Sequence, residues 1–241
     1  MRTCAQSEAL DTFLRRTRTV QDVIPPTGVN ARGRRVARGI VVLLLGMLPS
    51  SPVAAGVTSR VSISSQGTEA NGGSSAPAVS RAARLVAFAS DAANLVTGDT
   101  NATTDVFVRE RETNVTERVS VASDGSQGNG ASSELDTPSI SGSGRYIAFS
   151  STASNLVPGD TNVCAVPGFA GSGPCADVFV HDRKTGTTER VSVATDGSQA
   201  SGSSSAPSIA SSGKVVAFAS FADDLVPGDT NARSDIFVRT R

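Results

Sequence analysis

The sequence predicts an all-β fold built from three self-similar units of four short strands each. Three observations predict it. First, a turn followed by an apolar run, Leu95-Val-Thr-Gly-Asp-Thr-Asn101 with Asp105-Val-Phe-Val108, occurs three times. It returns as Leu156-Val-Pro-Gly-Asp-Thr-Asn162 with Asp177-Val-Phe-Val180, and as Leu225-Val-Pro-Gly-Asp-Thr-Asn231 with Asp235-Ile-Phe-Val238. Second, other runs return with it: Phe88 to Phe149 is 61 residues and Phe149 to Phe218 is 69. Third, Val, Ile and Phe occur in runs bounded by Gly, Asp, Asn and Pro, with no sustained 3.6-residue period, which reads as strands and not helices.

The chain before the repeats carries a processing signal. Arg32, Arg34, Arg35 and Arg38 form a basic n-region, Gly39 to Leu48 an apolar h-region, and Pro49 to Ala55 ends in small residues. A membrane span needs roughly 20 apolar residues, so cleavage after Ala55 is the stronger reading and retention as an anchor the weaker. A basic region about thirty residues into the chain fits a later start, such as Val29 on a GTG codon. Residues 1–55 are therefore expected to be an N-terminal extension plus signal peptide, and 56–241 a β-propeller repeat domain exported to the periplasm or the exterior.

Charge narrows the partners. Formal net charge is zero, but residues 1–55 carry 8 Lys/Arg and 3 Asp/Glu, whereas 56–241 carry 14 and 19. The acidic body argues against nucleic acid, which needs a basic footprint. With no Trp and one Tyr, it also lacks stacking platforms for bases or sugars.

Four runs make up each unit. The first is Ala76 to Ser80, matching Thr137 to Ser141 and Ala206 to Ala210. The second is Leu85 to Ser90, matching Tyr146 to Ser151 and Val215 to Ser220. The third is the Asp-Val/Ile-Phe-Val run. The fourth is Glu117 to Val121, matching Glu189 to Val193. Gly142-Ser-Gly144 and Ser212-Gly213 suit a tight turn between the first and second strands, and Asp124-Gly125 and Asp196-Gly197 supply turns that tolerate positive φ. Self-similar units of four short strands are the sequence form of a β-propeller, one blade per unit. A β-sandwich would not repeat its side chains copy by copy.

The unit resembles the WD-repeat-like blade of TolB-type propellers: a Pro-x-Ile/Val-Ser strand, a Gly-rich turn, an Ile/Val-Ala-Phe strand and an Asp-Val/Ile-Phe-Val strand. The resemblance covers 57–241. It departs where the family usually has Trp in the first strand and Pro-Asp-Gly in the next turn; Val79, Ile140 and Ile209, then Ser80 to Ala83, Gly142 to Gly144 and Ser212-Gly213, stand there. Arg60-Val-Ser-Ile63 matches the fourth strand, so residues 57–64 are expected to supply that strand to the last blade. Three blades are fewer than the typical 4–8. Two readings follow: a homodimer completing a six-bladed ring, or a truncated propeller. An isolated monomer is expected to expose apolar faces.

Candidate chemistry is sparse. Asp99, Asn101 and Asp105 recur as Asp160, Asn162 and Asp177, and as Asp229, Asn231 and Asp235. Oxygen ligands at this spacing make calcium the candidate cofactor. The competing reading is turn chemistry, with Asp and Asn bonding their own backbone. Cys164 and Cys175 bracket a fourteen-residue insertion, Val163 to Ala176, where the other copies have three residues; in an exported chain they read as a disulfide. His181 takes the place of Arg109 and Arg239 and reads as a solvated polar position. Glu110, Glu112, Asp182 and Asp224 read as surface, and Phe88, Phe107, Phe149, Phe179, Phe218 and Phe237 as inter-blade core. No Gly-x-Ser-x-Gly elbow or phosphate-binding Gly-Lys-Ser/Thr loop occurs, so no enzyme activity is expected.

The leading expectation is a secreted, non-enzymatic propeller module that binds a protein or surface glycan, with no membrane span after cleavage. The alternatives are a truncated or detached propeller domain of a larger hydrolase or peptidase, and a purely structural extracellular repeat.

Overall fold

The structure is a computed structural model and describes residues 56–165 and 172–241; the expected extension and signal peptide, residues 1–55, and the middle of the Cys-bracketed insertion lie outside the described residues. Every regular element described is a β-strand. The first sheet orders β1 (Ser74–Val79), β2 (Leu85–Ser90), β3 (Asp105–Glu110) and β4 (Val115–Arg118) side by side in chain order. The second uses β5 (Ser139–Ile140) and β6 (Tyr146–Ser151). A small hairpin follows, β7 (Val163–Ala165) with β8 (Ser172–Pro174), and the sheet resumes with β9 (Asp177–Asp182) and β10 (Thr187–Arg190). The third contains β11 (Ser204–Ile209), β12 (Val215–Ser220) and β13 (Asp235–Thr240). All pairings are antiparallel, and among the described residues no helix is long and apolar enough to cross a membrane.

The repeat is exact in register where it matters most. Ser90 pairs with Asp105, Ser151 with Asp177 and Ser220 with Asp235, so the second and third strands of each sheet align over six residues. That register sets Phe88 beside Phe107, Phe149 beside Phe179 and Phe218 beside Phe237, stacked at 5.9, 6.0 and 6.0 Å between ring centroids. Offset stacking of this kind adds to the burial of the rings themselves.

Alternation along each strand gives each sheet two apolar faces, and neighbouring sheets cover them. Ala87, Val106 and Val108 of the first sheet pack on Ile147, Phe149 and Phe179 of the second. Ala148, Val178 and Val180 of the second pack on Val216 and Phe218 of the third. The other face of the first sheet, Phe88 and Phe107, is closed by Ala70, Ala92 and Leu95. Of the six phenylalanines predicted as inter-blade core, five are buried and Phe237 is half-buried, and Phe88 and Phe107 are covered by loop residues and not by a neighbouring sheet. The remaining face of the third sheet has no cover: Ile236 is 74% and Val238 67% exposed, whereas Val106, Val108, Val178 and Val180 are all 0%.

Two expectations change. The fourth strands end at Arg118 and Arg190, not at Val121 and Val193. The cause is a side chain: the Ser120 hydroxyl accepts from the Val106 amide (3.1 Å) and Ser192 from Val178 (3.1 Å), taking the place of a ladder bond. The third sheet has three strands, and residues 57–64 do not join it within the chain. The end of that stretch lies instead along the first sheet, where the Ile63 carbonyl accepts from Thr116 Oγ1 (2.6 Å) and the Ser64 carbonyl from Arg109 (3.0 Å).

Removing a ring from the junction of the first two sheets tests where the stability resides. Phe149→Ala leaves a cavity at a fully buried site and is expected to cost about 3–5 kcal/mol in urea unfolding. Leu135→Ala, at a 97% exposed site, should change stability by under about 0.5 kcal/mol.

Candidate functional site

The recurrent Asp-x-Asn loop is built between the second and third strands and is anchored from below by the fourth. In the first copy Asp105 is fully buried at the start of β3. It accepts from Ser120 Oγ (2.5 Å), Asn101 Nδ2 (3.0 Å) and Arg118 (3.3 Å). The same guanidinium nitrogen lies 3.2 Å from Asp99 and donates to Gln127 Oε1 (2.8 Å). In the second copy Arg190 stands between Asp160 (3.2 Å) and Asp177 (3.5 Å), and Ser192 donates to Asp177 (2.6 Å). Asn162 turns to the Ala200 carbonyl (2.9 Å). Sequence reasoning found the Asp and Asn residues and missed the arginine and serine of the fourth strand that complete the set, though the shared Arg-Val-Ser at 118–120 and 190–192 was its signal.

This arrangement does not fit a calcium ion in the first two copies. A guanidinium already lies between the carboxylates a cation would bridge in both copies, and in the first, bonds from Asn101 and Ser120 add to it on Asp105. Among the described residues no group of three or more His, Cys, Asp or Glu gathers as a metal set. The geometry is turn and anchor chemistry. The third copy differs: Asn231 Nδ2 donates to Asp235 (2.7 Å), among the described residues no arginine reaches Asp229 or Asp235, and the two acids with Asn231 and Phe237 line an open cavity of about 310 Å³.

Burial shapes the charge. Desolvation raises the pKa of Asp99 and Asp160, and Asp177 is pushed up to about 6, mainly by burial, with Ser192 and Arg190 opposing. Asp177 Oδ2 and Arg190 Nη1 lack hydrogen-bond partners of good geometry, so the second ion pair is the looser one.

Two residues assigned to the surface are interior. His181 is buried at 6% exposure; its Nδ1 contacts Thr188 Oγ1 (2.9 Å), and burial lowers its pKa. It belongs to a recurring tie between sheets, because Thr188 Oγ1 donates to the Val121 carbonyl (2.5 Å) as Thr116 does to Ile63, while Arg239 reaches the Ala194 carbonyl (3.0 Å). Asp182 is also buried and forms a two-pronged pair with Arg145 (2.7 and 2.6 Å), which holds its carboxyl well below the usual range. The polar pattern at the strand ends hid both, since Thr188 and Arg145 reach them only through the register of β9 with β10 and β6. Glu112 and Asp224 are exposed and Glu110 is half-buried, paired with Arg84.

The disulfide is present: Cys164 and Cys175 are joined, Cα atoms 4.9 Å apart, on the β7–β8 hairpin. Cys175 is buried immediately before β9, so the crosslink fixes where the insertion returns to the sheet.

Beside each loop lies an open cleft. The second is walled by Ser123 and Asp124 on one side and Val157, Pro158 and Gly159 on the other, about 440 Å³. The third repeats it with Thr195 and Asp196 against Val226, Pro227 and Gly228, about 420 Å³. The first has Ser65 and Gln66 against Val96 and Thr97, about 380 Å³. Gly125 and Gly197 hold these turns at φ 84° and 89°. Ser126 and Ser198 bond Asp124 and Asp196 and lower their pKa, so both cleft walls stay anionic.

No family model matches the sequence, and no curated protein matches it. Solved structures do. The chain is similar to β-propeller proteins. TolB from Acinetobacter baumannii is 16% identical, with 70% of this chain covering 32% of that one at a TM-score of 0.36. A putative TolB from Agrobacterium tumefaciens is 14% identical, 67% against 43%, at 0.39. The β-propeller domain of the Trilobed protease from Pyrococcus furiosus is 14% identical, 72% against 45%, at 0.37. The chain spans less than half the length of each.

Two measurements check the site. Melting temperature is expected to be equal in millimolar calcium and in chelator; a calcium-dependent rise contradicts the anchor reading. The second concerns pH. Asp177 binds its proton more tightly folded, near 6, than unfolded, near ~3.9. Its contribution is thus full below pH ~4 and is lost as pH rises through ~6, by roughly 2–3 kcal/mol. Asp177→Asn should flatten that segment of the stability–pH curve in urea titrations at pH 4, 5, 6 and 7.

Proposed function

We propose that the chain is a non-enzymatic binding module of three propeller-type blades that works outside the cytoplasm and engages a protein partner. The observation that carries this reading is the threefold recurrence of the cleft between an Asp-Gly or equivalent turn and the Val-x-Gly-Asp loop, at nearly constant volume. Equivalent open clefts at regular intervals present the same chemistry repeatedly along one side, which suits an extended polypeptide better than a single small molecule. Asp124 and Asp196 give two clefts a fixed negative charge, so the matching partner segment is basic.

Export is supported by the Cys164–Cys175 crosslink, since such bonds persist in oxidising compartments. The reading as non-enzymatic is supported by the employment of the conspicuous polar groups: Asp105, Asp177, Asp182 and His181 are committed to holding sheets together.

Photoreactive residues at Pro158 and at Pro227, in the exported protein on its own cells, test the reading. Both positions should yield adducts with the same polypeptide, and one at Ser143, in the turn between β5 and β6, should not. Asp124→Lys with Asp196→Lys should cut the yield severalfold. Adducts at all three positions, or at none, would sink the proposal.

A further inference from the structure

The third sheet lacks three things that the first two possess, and one stretch of the same chain contains all three. In the first sheet, Val115-Thr-Glu-Arg-Val-Ser-Val121 supplies an edge strand, an arginine for two aspartates and a serine for the buried one. In the second, Thr187-Thr-Glu-Arg-Val-Ser-Val193 supplies the same. The third sheet stops at β13, leaving Asp229 and Asp235 without an arginine and Asp235 without a serine. The matching stretch is Val57-Thr-Ser-Arg-Val-Ser-Ile63, which shares Thr, Arg, Val and Ser at the same four positions.

That stretch is not used as a strand where it lies. It forms only an isolated bridge, Ile63 with Glu69; Val57 is 93% exposed; and Arg60 pairs with the exposed Glu69. Val61 is half-buried, whereas its counterparts Val119 and Val191 are 0% and 2% exposed between sheets. The following residues, Ile63 to Ser65, make the contacts with Thr116 that Val121 to Ser123 make with Thr188. The first sheet is therefore already packed as though a sheet ending in Val57–Ile63 preceded it. Among the described residues no sheet precedes it, and the exposed face of Ile236 and Val238 is the one such a packing would bury.

We propose that residues Val57–Ile63 of a second copy add to β13 as the fourth strand of the third sheet, antiparallel, with Arg60 entering the cavity between Asp229 and Asp235 and Ser62 donating to Asp235. The register follows from the first sheet, where Phe107 pairs with Arg118 and Val108 with Glu117; it sets Phe237 opposite Arg60 and Val238 opposite Ser59. The occupant is fixed by sequence identity to the two strands that perform this task elsewhere and by charge, because the cavity is acidic and the entering residue basic. Two copies placed head to tail make two such junctions and six sheets, within the roughly 4–8 that close a propeller ring. The inference rests on reading the sheets as blades and not on the identity of the bound partner.

The test uses the full chain, exported and purified as its natural product. Light scattering should give twice the chain mass, falling to one chain mass for Arg60→Glu. Because Arg60→Glu alone could act through misfolding, a second measurement fixes the register. Chains carrying Ser59→Cys mixed with chains carrying Val238→Cys should form a disulfide-linked dimer on a non-reducing gel. Ser59→Cys mixed with Ser212→Cys should not. A monomer by light scattering, or equal crosslinking to both partners, overturns the proposal. Loss of partner adducts at Pro158 with the dimer intact would count against the proposed function alone.

Discussion

A carboxylate buried at the first position of the third strand is the constraint around which each unit is built. Asp105 and Asp177 are wholly removed from water, which is costly unless every lone pair is satisfied. Asp105 is satisfied from three separate places, the Asn of the preceding loop, the Ser that follows the fourth strand and the Arg that ends it, whereas Asp177 has the Ser bond and a longer approach to Arg190. One atom group thereby ties the loop, the central strand and the edge strand together. The need for an anion at that point also explains why a loop that looks like a cation site binds its own arginine. The energy of the arrangement lies mainly in not leaving the carboxylate bare, since a buried pair is close to neutral against an apolar replacement while half a pair is strongly unfavourable.

Around that anchor, packing is strictly nearest-neighbour. Each sheet offers one apolar face forward and one back, and its Phe pair sits on the face the preceding sheet closes. Stability in such stacks is approximately a sum of unit terms and interface terms. The inter-sheet ties lie on this same axis: Arg183 reaches Glu117 of the sheet before, and Arg241 reaches Glu189. Burial therefore belongs to a position in the stack and not to a residue type. Val180 and Val238 occupy the same place in their strands, yet one is fully enclosed and the other two-thirds exposed.

That dependence explains what could be read from the sequence and what could not. Strand identity, order and the Phe core were legible, because they follow from local pattern and copy-by-copy alignment. The disulfide was legible because an insertion bracketed by two cysteines, in a chain expected to be exported, has few other uses. The interior placement of His181 and Asp182 was not. Both sit at strand ends whose pattern is polar, and their partners come from other parts of the same sheet, Thr188 on β10 and Arg145 just before β6, which meet them only through strand register. The arginine anchor was missed for a related reason. Asp-x-Asn is visible as a motif over a few residues, whereas Arg118 is 19 positions beyond Asp99 and meets it only through the register of β3 against β4.

The third unit shows what happens when one contributor to the anchor is withheld. Asp235 keeps its asparagine, its strand register and its Phe stack, so the loop forms without the arginine. What is lost is closure: the acidic cavity stays open, and two aliphatic side chains that are core in both other copies face water. Edge strands of this kind are managed in other proteins with charges, prolines or bulges, and β13 has none of these across Ile236-Phe-Val238. An edge with its backbone groups unpaired, its apolar face bare and an acidic cavity at one end is complementary in every respect to a strand of Val, Thr, Arg and Ser. The chain carries that strand at Val57–Ile63, held in place by the residues that follow it and paired with the chain only at its end, where Ile63 bridges Glu69 and the Ser62 carbonyl accepts from Ala70.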